Sequence, residues 1–559
     1  MAAGELYARA RAWLADDPDP ATRAELRALI EAGDTSVLAE RFAGTLRFGT
    51  AGLRGELGAG PMRMNRAVVI RAAAGLAAHL RRHEPGDGAP GLVVIGWDAR
   101  YRSADFARDT AAVVTGAGLR AALLPRPLPT PVLAFAVREL GAVAGVMVTA
   151  SHNPPQDNGY KVYLGDGTQI VPPDDALIAA EIDAVGPVTG VPRAESGWEV
   201  LGEEIVTAYL ARTDAPLTPG SPRTTTTVYT PLHGVGRPVL LDAFARAGFP
   251  PPADVPQQAE PDPVFPTVAF PNPEEPGAMD LAFATARTVR PDLVLAHDPD
   301  ADRCAVAVPA PDRPEGWRML RGDEVGALLA AHLAAKGVRG TFAASIVSSS
   351  LVGRIAAAAG LPYEETLTGF KWLARVDGLA FGYEEALGYC VDPAGVRDKD
   401  GVTAALLVAE LAAGLAEQGR TLTDLLDDLA LTHGLHATDQ LSVRVADLSL
   451  IATAMRTLRT APPRELAGLP ITSAEDLSEG TALLPPTDGL RYTLAGGATG
   501  PGGTAARVIV RPSGTEPKLK CYLEVVRPVA GRADLPAARE AAARILGGLK
   551  KDLAAAAGI

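Results

Sequence analysis

The sequence predicts an α/β protein, with three similar α/β domains in series followed by a smaller α+β domain. Three observations carry this. Apolar runs of strand length alternate with helical patterns through GLVVIGWDARYRS, LRAALLP and VAGVMVTASHN. The alternation returns in TTTTVYTPLHGVG, DLVLAHDPDADR and RGDEVGALLAAHLAAKGVRG–TFAASIVSSS; this is the pattern of a mostly parallel sheet. The last stretch changes character, with strands QLSVRVADLS, ARVIVRPSGT and LKCYLEVV and helical segments near 449–460 and 536–555. Domain boundaries are placed at 1–205, 206–318, 319–437 and 438–559.

Taken in order, the strand 91–97 runs into a loop at Asp98-Ala99-Arg100, and Ser103 is an N-cap candidate for a helix ending near Thr115. A strand at 119–125 and a helix around Pro131–Leu140 lead to the strand before Thr149. The helix in RGDEVGALL has its cap near Asp323. The Pro-rich stretches 185–194 and 250–276 read as linkers or extended loops, and the Gly-rich 494–504 as a mobile hairpin connection.

The chain has 559 residues, enough for three or four domains at roughly 150 residues each. Its 47% apolar content supplies several cores. A net charge of −13 argues against a general nucleic-acid binder, which needs a basic face. Three widely spaced cysteines without a CxxC make no disulfide framework. The N-terminus lacks a signal-peptide core and no run of 18 apolar residues occurs. The expectation is a cytoplasmic protein with no membrane or nucleic-acid partner.

The chemistry concentrates in loops. HDPDADR (297–303) places Asp298, Asp300 and Asp302 at the end of an apolar strand, where α/β sheets build sites. Three carboxylates this close repel unless a cation relieves them, and their hard oxygens suit Mg²⁺ or Ca²⁺. An EF-hand is excluded: its sixth position is Arg303 and its twelfth Pro309. Mg²⁺ usually keeps a phosphate oxygen as partner, so a phosphoryl group is expected nearby. RPSGTEPKLK (511–520) offers Arg511, Ser513, Thr515 and Lys518 around Gly514, a set of donors for phosphate. FGTAGLRG (48–55) holds Arg54 among three glycines, and GYEEALGY (382–389) holds Glu384, whose carboxylate can accept from sugar hydroxyls. TLTGFKW and RDKDG add Lys371 and Lys399. TASHNP (149–154) leaves three readings open: a Ser151–His152 nucleophile and base, a polar turn, or a serine that carries a group. No GxSxG elbow surrounds Ser151, which weakens the first.

Five such loops in this order resemble those of the α-D-phosphohexomutases, the phosphoglucomutase/phosphomannomutase group. TASHNP resembles the phosphoserine loop, DPDADR the metal loop, GYEEAL the sugar loop, RPSGTEPK the phosphate loop and FGTAGLRG the opening motif. PDPVFPTVAFPNPEE, TLTGFKW and RPSGTEPKLKCYLE are similar to the phosphoglucomutase-2-like and phosphopentomutase branch. The resemblance implies mixed sheets and four domains around a central active-site cleft. It implies an intramolecular phosphotransferase in which Ser151 is phosphorylated and Mg²⁺ is held by Asp298, Asp300, Asp302 and Ser151. It implies a sugar 1-phosphate to 6-phosphate interconversion, glucose first, through a sugar bisphosphate such as glucose 1,6-bisphosphate that also serves as activator. Arg303 would steady the moving phosphoryl group, and His152, Lys161 and Lys399 are candidates for proton transfer. Thr50, Arg54, Thr368, Gly369, Lys371, Glu384, Ala386, Arg511, Ser513, Gly514, Thr515 and Lys518 would bind substrate. Two departures bear on the sugar: Ala386 stands where the hexose branch usually has Ser, and Phe370 where several relatives are more polar. A pentose phosphate or mannose phosphate is the alternative substrate, a sugar-phosphate binding protein the non-enzyme alternative, and a monomer or homodimer the expected state.

Overall fold

The computed structural model describes residues 3–49, 51–82, 90–445, 448–495, 503–513 and 518–559. The chain divides into two compact units, Met1–Met319 with Gly388–Glu410, and Leu320–Leu387 with Leu411–Ile559.

The first unit opens with three helices, α1 (Ala3–Asp16), α2 (Pro20–Ala32) and α3 (Thr35–Arg41). Asp19 caps α2 by accepting from the Ala21 N–H, with Pro20 at the first helical position. These helices bury Leu6, Ala10, Leu26, Leu38 and Phe42 in a small core. A six-stranded sheet follows, built from β1 (Leu53–Glu56), β2 (Leu92–Trp97), β3 (Arg120–Leu123), β4 (Ala144–Val148), β5 (Asp157–Leu164) and β6 (Glu199–Val200) in the order β1-β5-β4-β2-β3-β6. Strands β3, β2 and β4 are parallel, whereas β5 runs antiparallel to β4 and to β1, so the sheet is mixed. Every residue of β4 is buried, as expected of a strand covered on both faces. Helices α4 (Arg66–Arg82), α5 (Ser103–Gly116), α6 (Thr130–Glu139) and α7 (Asp174–Asp183) belong to this domain. Ser103 does not cap α5 as the sequence suggests. Arg102, at φ 69°, precedes the helix, and the Ser103 hydroxyl donates instead to Asp98 at 2.6 Å.

The second sheet contains β7 (Thr227–Thr230), β8 (Ala253–Asp254), β9 (Leu293–Ala296), β10 (Ala305–Pro309) and β11 (Trp317–Met319), in the order β11-β10-β9-β7-β8. Strand β9 is parallel to β7, and β10 returns antiparallel to β9. The acidic loop 297–303 is therefore a β-hairpin connection, not the start of a strand-to-helix crossover.

In the second unit, β12 (Thr341–Ser345) pairs in parallel with β13 (Tyr363–Thr366) and β14 (Leu379–Glu384). Asp323 lies in the first turn of the helix Gly322–Ala335, but its carboxylate accepts from the Ser349 N–H at 2.7 Å and the Tyr383 hydroxyl at 3.0 Å. It ties the helix to its sheet and does not cap it. The last domain is antiparallel, with β15 (Leu435–Arg444), β16 (Leu469–Asp476), β17 (Leu490–Ala495), β18 (Ala505–Pro512) and β19 (Lys518–Arg527). The helices Leu448–Thr460 and Leu535–Ala557 flank its core of Leu494, Val508, Val510, Leu519 and Val525. The middle of the Gly-rich connection, 496–502, lies outside the described residues.

Among the described residues no single helix is long and apolar enough to cross a membrane. Cys304, Cys390 and Cys521 are buried and free.

Gly52 shows how closely the opening loop approaches the sheet. It has φ 72°, and a Cβ there would lie 1.8 Å from the Tyr160 carbonyl oxygen on β5. Gly52→Ala is expected to lower unfolding stability by about 1–3 kcal/mol, read as a lower thermal midpoint. An unchanged midpoint would mean that the loop does not lie against β5 in this way.

Candidate active site

In the first unit the predicted residues come together at strand ends. Ser151 follows β4 through Thr149, whose hydroxyl accepts the Ser151 N–H at 2.9 Å. Ser151 adopts φ 51°, a region costly for a residue with a Cβ. The turn is held by Arg100, whose guanidinium donates to the carbonyls of Ser151 at 2.6 Å, Pro154 at 2.8 Å and Asp157 at 3.2 Å, and also to Asn153. Four carbonyls gathered on one buried cation fix the loop backbone. The Ser151 hydroxyl donates to Asp298 Oδ2 at 2.7 Å and lies 3.2 Å from His152 Nδ1.

Asp298, Asp300 and Asp302 are fully buried, at 0%, 0% and 1% exposure. One carboxylate oxygen of each lies within 4.8 Å of the others. Burial, with the charges of Asp300 and Asp302 added, pushes the Asp298 carboxyl well above the usual range. Burial acts the same way on Asp300, but there Lys161 and the hydroxyl of Thr130 outweigh it and hold the carboxyl low. Lys161 reaches Asp300 Oδ2 at 2.7 Å and Asp302 Oδ2 at 2.9 Å, and Thr130 Oγ1 donates to Asp300 Oδ2 at 2.5 Å. Burial works against the charge on Lys161, yet the two aspartates prevail and keep it protonated. The other oxygens, Asp300 Oδ1 and Asp302 Oδ1, are buried without a hydrogen-bond donor among the described residues. An all-oxygen set with such orphaned acceptors fits a hard divalent cation.

Arg303 donates its backbone N–H to Asp298 Oδ1 at 3.1 Å, and its guanidinium Nε is 3.9 Å from Asp302. Lys399 reaches Asp398 Oδ1 at 3.1 Å and Asp302 Oδ2 at 3.4 Å. Arg54 donates to Asn153 Oδ1 at 3.1 Å and lies in the field of Asp300 and Asp302. Thr50 is outside the described residues.

The remaining predicted residues lie in the second unit. The Glu384 carboxylate accepts the Gly369 N–H at 2.7 Å, so the GYEEAL and TLTGFKW loops meet. Thr368 Oγ1 is buried with no hydrogen-bond partner among the described residues, and the Lys371 ammonium lies 5.8 Å from the Trp372 ring centre. Ala386, at the turn after Glu384, is half-buried. Arg511 lies at the end of β18. Burial, with Glu385 adding to it, raises the Tyr522 hydroxyl, which also feels Arg511 and Glu384. Ser513 donates its N–H to the Lys518 carbonyl at 2.8 Å, across the base of a loop whose residues Gly514 and Thr515 lie outside the described ones. Phe370, read in the sequence as a change in sugar-site polarity, is buried at 3% exposure and packs in the core.

Sequence reasoning missed Arg100 and Thr130. Arg100 had a signal, since DAR ends a strand where α/β sites form. Thr130 had none, because its partner Asp300 is 170 residues away.

A loop serine against a buried acid trio, on a mixed-sheet α/β frame, defines a phosphotransferase class of site rather than a hydrolase triad. Four family descriptions match along the chain: phosphoglucomutase/phosphomannomutase α/β/α domain I over 45–187, domain II over 208–311, domain III over 321–432, and the C-terminal domain over 502–541. The chain belongs to the phosphoglucomutase/phosphomannomutase family of intramolecular phosphotransferases. It is 48% identical to "Probable phosphomannomutase" of Haemophilus influenzae, covering 83% of this chain and 93% of that one. It is 35% identical to human phosphopentomutase, covering 92% and 90%. A crystal structure of a "putative phosphomannomutase" from Thermus thermophilus superposes with a TM-score of 0.70 at 26% identity, covering 91% of this chain and 99% of that one.

His297, beside the acid loop, gives a pH test. Burial lowers it to about 4 from its ordinary 6.5. Between these values the unfolded chain binds the proton that the folded chain refuses, so this residue's contribution to stability falls as pH drops from about 6.5 to 4 and levels below. At 1.36 kcal/mol per pKa unit the effect is about 3 kcal/mol at most. Denaturant unfolding of His297→Gln should therefore lose less stability over that window than the parent. Parallel curves would show that the ring is not held neutral.

Proposed function

We propose that the protein moves a phosphoryl group between C1 and the terminal hydroxyl of an aldose monophosphate, with Ser151 as the carrier. The supporting observation is the Ser151 hydroxyl, 2.7 Å from Asp298 in a fully buried trio of carboxylates. Asp298, Asp300, Asp302 and a phosphate oxygen on Ser151 would hold Mg²⁺, which when bound withdraws charge from the phosphoryl oxygens. The chain's own residues account for the rest. In the forward step the Ser151 Oγ–P bond breaks and a P–O bond to the sugar hydroxyl forms. The hydroxyl proton leaves to a base, and Ser151 Oγ later attacks the other phosphate of the bisphosphate. His152, with its ring nitrogen 3.2 Å from Ser151 Oγ, is placed to exchange a proton with that oxygen. Lys161, kept protonated, acts as a cation and not as a base. Arg303 and Lys399 add positive charge around Asp302. Transfer of this kind rests on positioning and charge stabilisation.

Glu384 is read as the acceptor for sugar hydroxyls, and Arg511, Ser513, Gly514, Thr515 and Lys518 as the cradle of the non-reacting phosphate. Glucose 1-phosphate to glucose 6-phosphate is the first reading, with glucose 1,6-bisphosphate as intermediate and activator. A pentose phosphate is the second, favoured by Ala386 and by the likeness to a phosphopentomutase. A hydrolase reading fits poorly, because the Ser151 hydroxyl donates to Asp298 Oδ2 and no GxSxG elbow surrounds the serine.

Ser151→Ala should lose nearly all mutase turnover, about 10³-fold or more, while the protein stays folded. Near-normal turnover would refute the carrier role. Turnover should also stop on chelation and return with Mg²⁺; turnover indifferent to chelator would remove the cation from the reaction. Comparing glucose 1-phosphate, mannose 1-phosphate and ribose 1-phosphate decides the sugar, the glucose reading failing if ribose 1-phosphate has the highest kcat/KM.

A further inference from the structure

The first unit contains a cavity of about 860 Å³ that shares no lining residue with the Ser151 cluster. One wall is α1, through Arg9, Ala12, Trp13 and Asp16; the opposite wall is the segment before β1, through Leu46, Arg47 and Phe48. The α1 wall lies outside the residues matched by the family description, which begin at 45. The volume falls in the range of small-molecule sites, roughly 300–1,000 Å³.

The lining has an apolar body and a charged mouth. Trp13 packs edge-on against Phe42, with ring centres 6.4 Å apart, and both border the cavity with Leu46 and Phe48. The Trp13 indole Nε1 is buried with no hydrogen-bond acceptor among the described residues, a donor open to a ligand acceptor. Three arginines line the cavity, Arg9, Arg47 and Arg71, against two acids, Asp16 and Asp183. Asp16 accepts from the N–H groups of Val188 at 2.8 Å and Thr189 at 2.9 Å and from the Thr189 hydroxyl at 3.0 Å, and it feels the charge of Arg71. Arg71 also donates to the Val185 carbonyl at 3.0 Å. Arg47 is exposed and has no ion pair among the described residues. By formal charge the lining holds one more cation than anion.

We propose that this cavity is a binding site, separate from the phosphotransfer site, for a flat and mainly apolar small molecule that carries one anionic group. The ring system would stack among Trp13, Phe42 and Phe48, an acceptor atom would meet the Trp13 indole N–H, and the anion would face Arg47 and Arg71. Its floor includes Leu53 on β1, the residue before Arg54, so an occupant abuts the strand that carries a catalytic-site arginine. This inference stands independently of the sugar and of the role given to Ser151.

The test uses the full-length protein and the probe 8-anilinonaphthalene-1-sulfonate, a flat apolar anion. Saturable one-site binding with energy transfer from tryptophan is expected, unchanged by saturating glucose 1-phosphate. Ala12→Trp, an exposed position on α1, should fill the cavity and weaken binding by about tenfold or more. Arg47→Glu should weaken it by about fivefold through loss and reversal of one charge contact. The proposal is overturned if the parent shows no saturable binding, if the sugar phosphate displaces the dye, or if Arg47→Glu binds with parental affinity. That last variant changes an exposed side chain and decides the matter should Ala12→Trp fail to fold.

Discussion

Mutual repulsion among Asp298, Asp300 and Asp302 is the constraint on which the first unit's site depends. Three carboxylates at 1% exposure or less cannot all keep their charge without help. The fold supplies partial help from a distance in sequence: Lys161 from β5, Thr130 from the start of α6, and Lys399 from the segment that follows Gly388. That help is unevenly spread. Asp300 is held ionised, Asp298 is driven toward its protonated form, and oxygens on Asp300 and Asp302 are left without donors. Such an arrangement is poor as a purely structural cluster and suited to a cation.

The serine loop is built to meet that cluster. Its left-handed Ser151 would be unfavourable in an isolated peptide, and the carbonyl grip of Arg100 is what over-determines it. Arg100 is itself buried, with its ring-face contact to Phe265 at 4.8 Å, so the loop is clamped from below by a side chain that cannot swing to solvent. Gly234 serves the other side: a Cβ there would come within 2.3 Å of Pro299 Cα, so the turn after β7 can pack flush against the acid loop. Preorganisation of this kind suits phosphoryl transfer, in which the protein contributes position and charge more than covalent chemistry.

The second unit holds its loop side chains in a softer way. Glu384 is oriented by one backbone amide, Lys371 rests over an indole, and Tyr522 feels the charges of Glu385, Arg511 and Glu384. Beneath them the polar contacts are stronger. Glu524 accepts from Ser349 at 2.6 Å, from the Ser350 N–H at 2.8 Å and from His436 at 3.0 Å, and pairs with Arg507 at 3.1 Å. Burial alone would raise this carboxyl, but Arg507 and His436 hold it at about 2. In the second unit a rigid polar network on Glu524 thus lies alongside loop side chains that have few fixed partners between them.

The sequence by itself determined the class of fold, the strands that carry the site, and the five loops that mark the family, because these are local properties: apolar periodicity, Gly and Pro punctuation, and residue types clustered within a few positions. It located β2, β3, β4, β9 and the last two strands closely, and it chose Ser151 and the three aspartates. The tertiary structure decided what depends on distant partners. It showed Ser103 bonding Asp98 instead of capping α5, Phe370 turned into the core, β5 and β10 running antiparallel, Arg100 gripping the serine loop, and Thr130 and Lys161 converging on the acid loop up to 170 residues away. A side chain's direction and its charge state follow from which atoms the folded chain brings within a few ångströms, and no local window of sequence contains them.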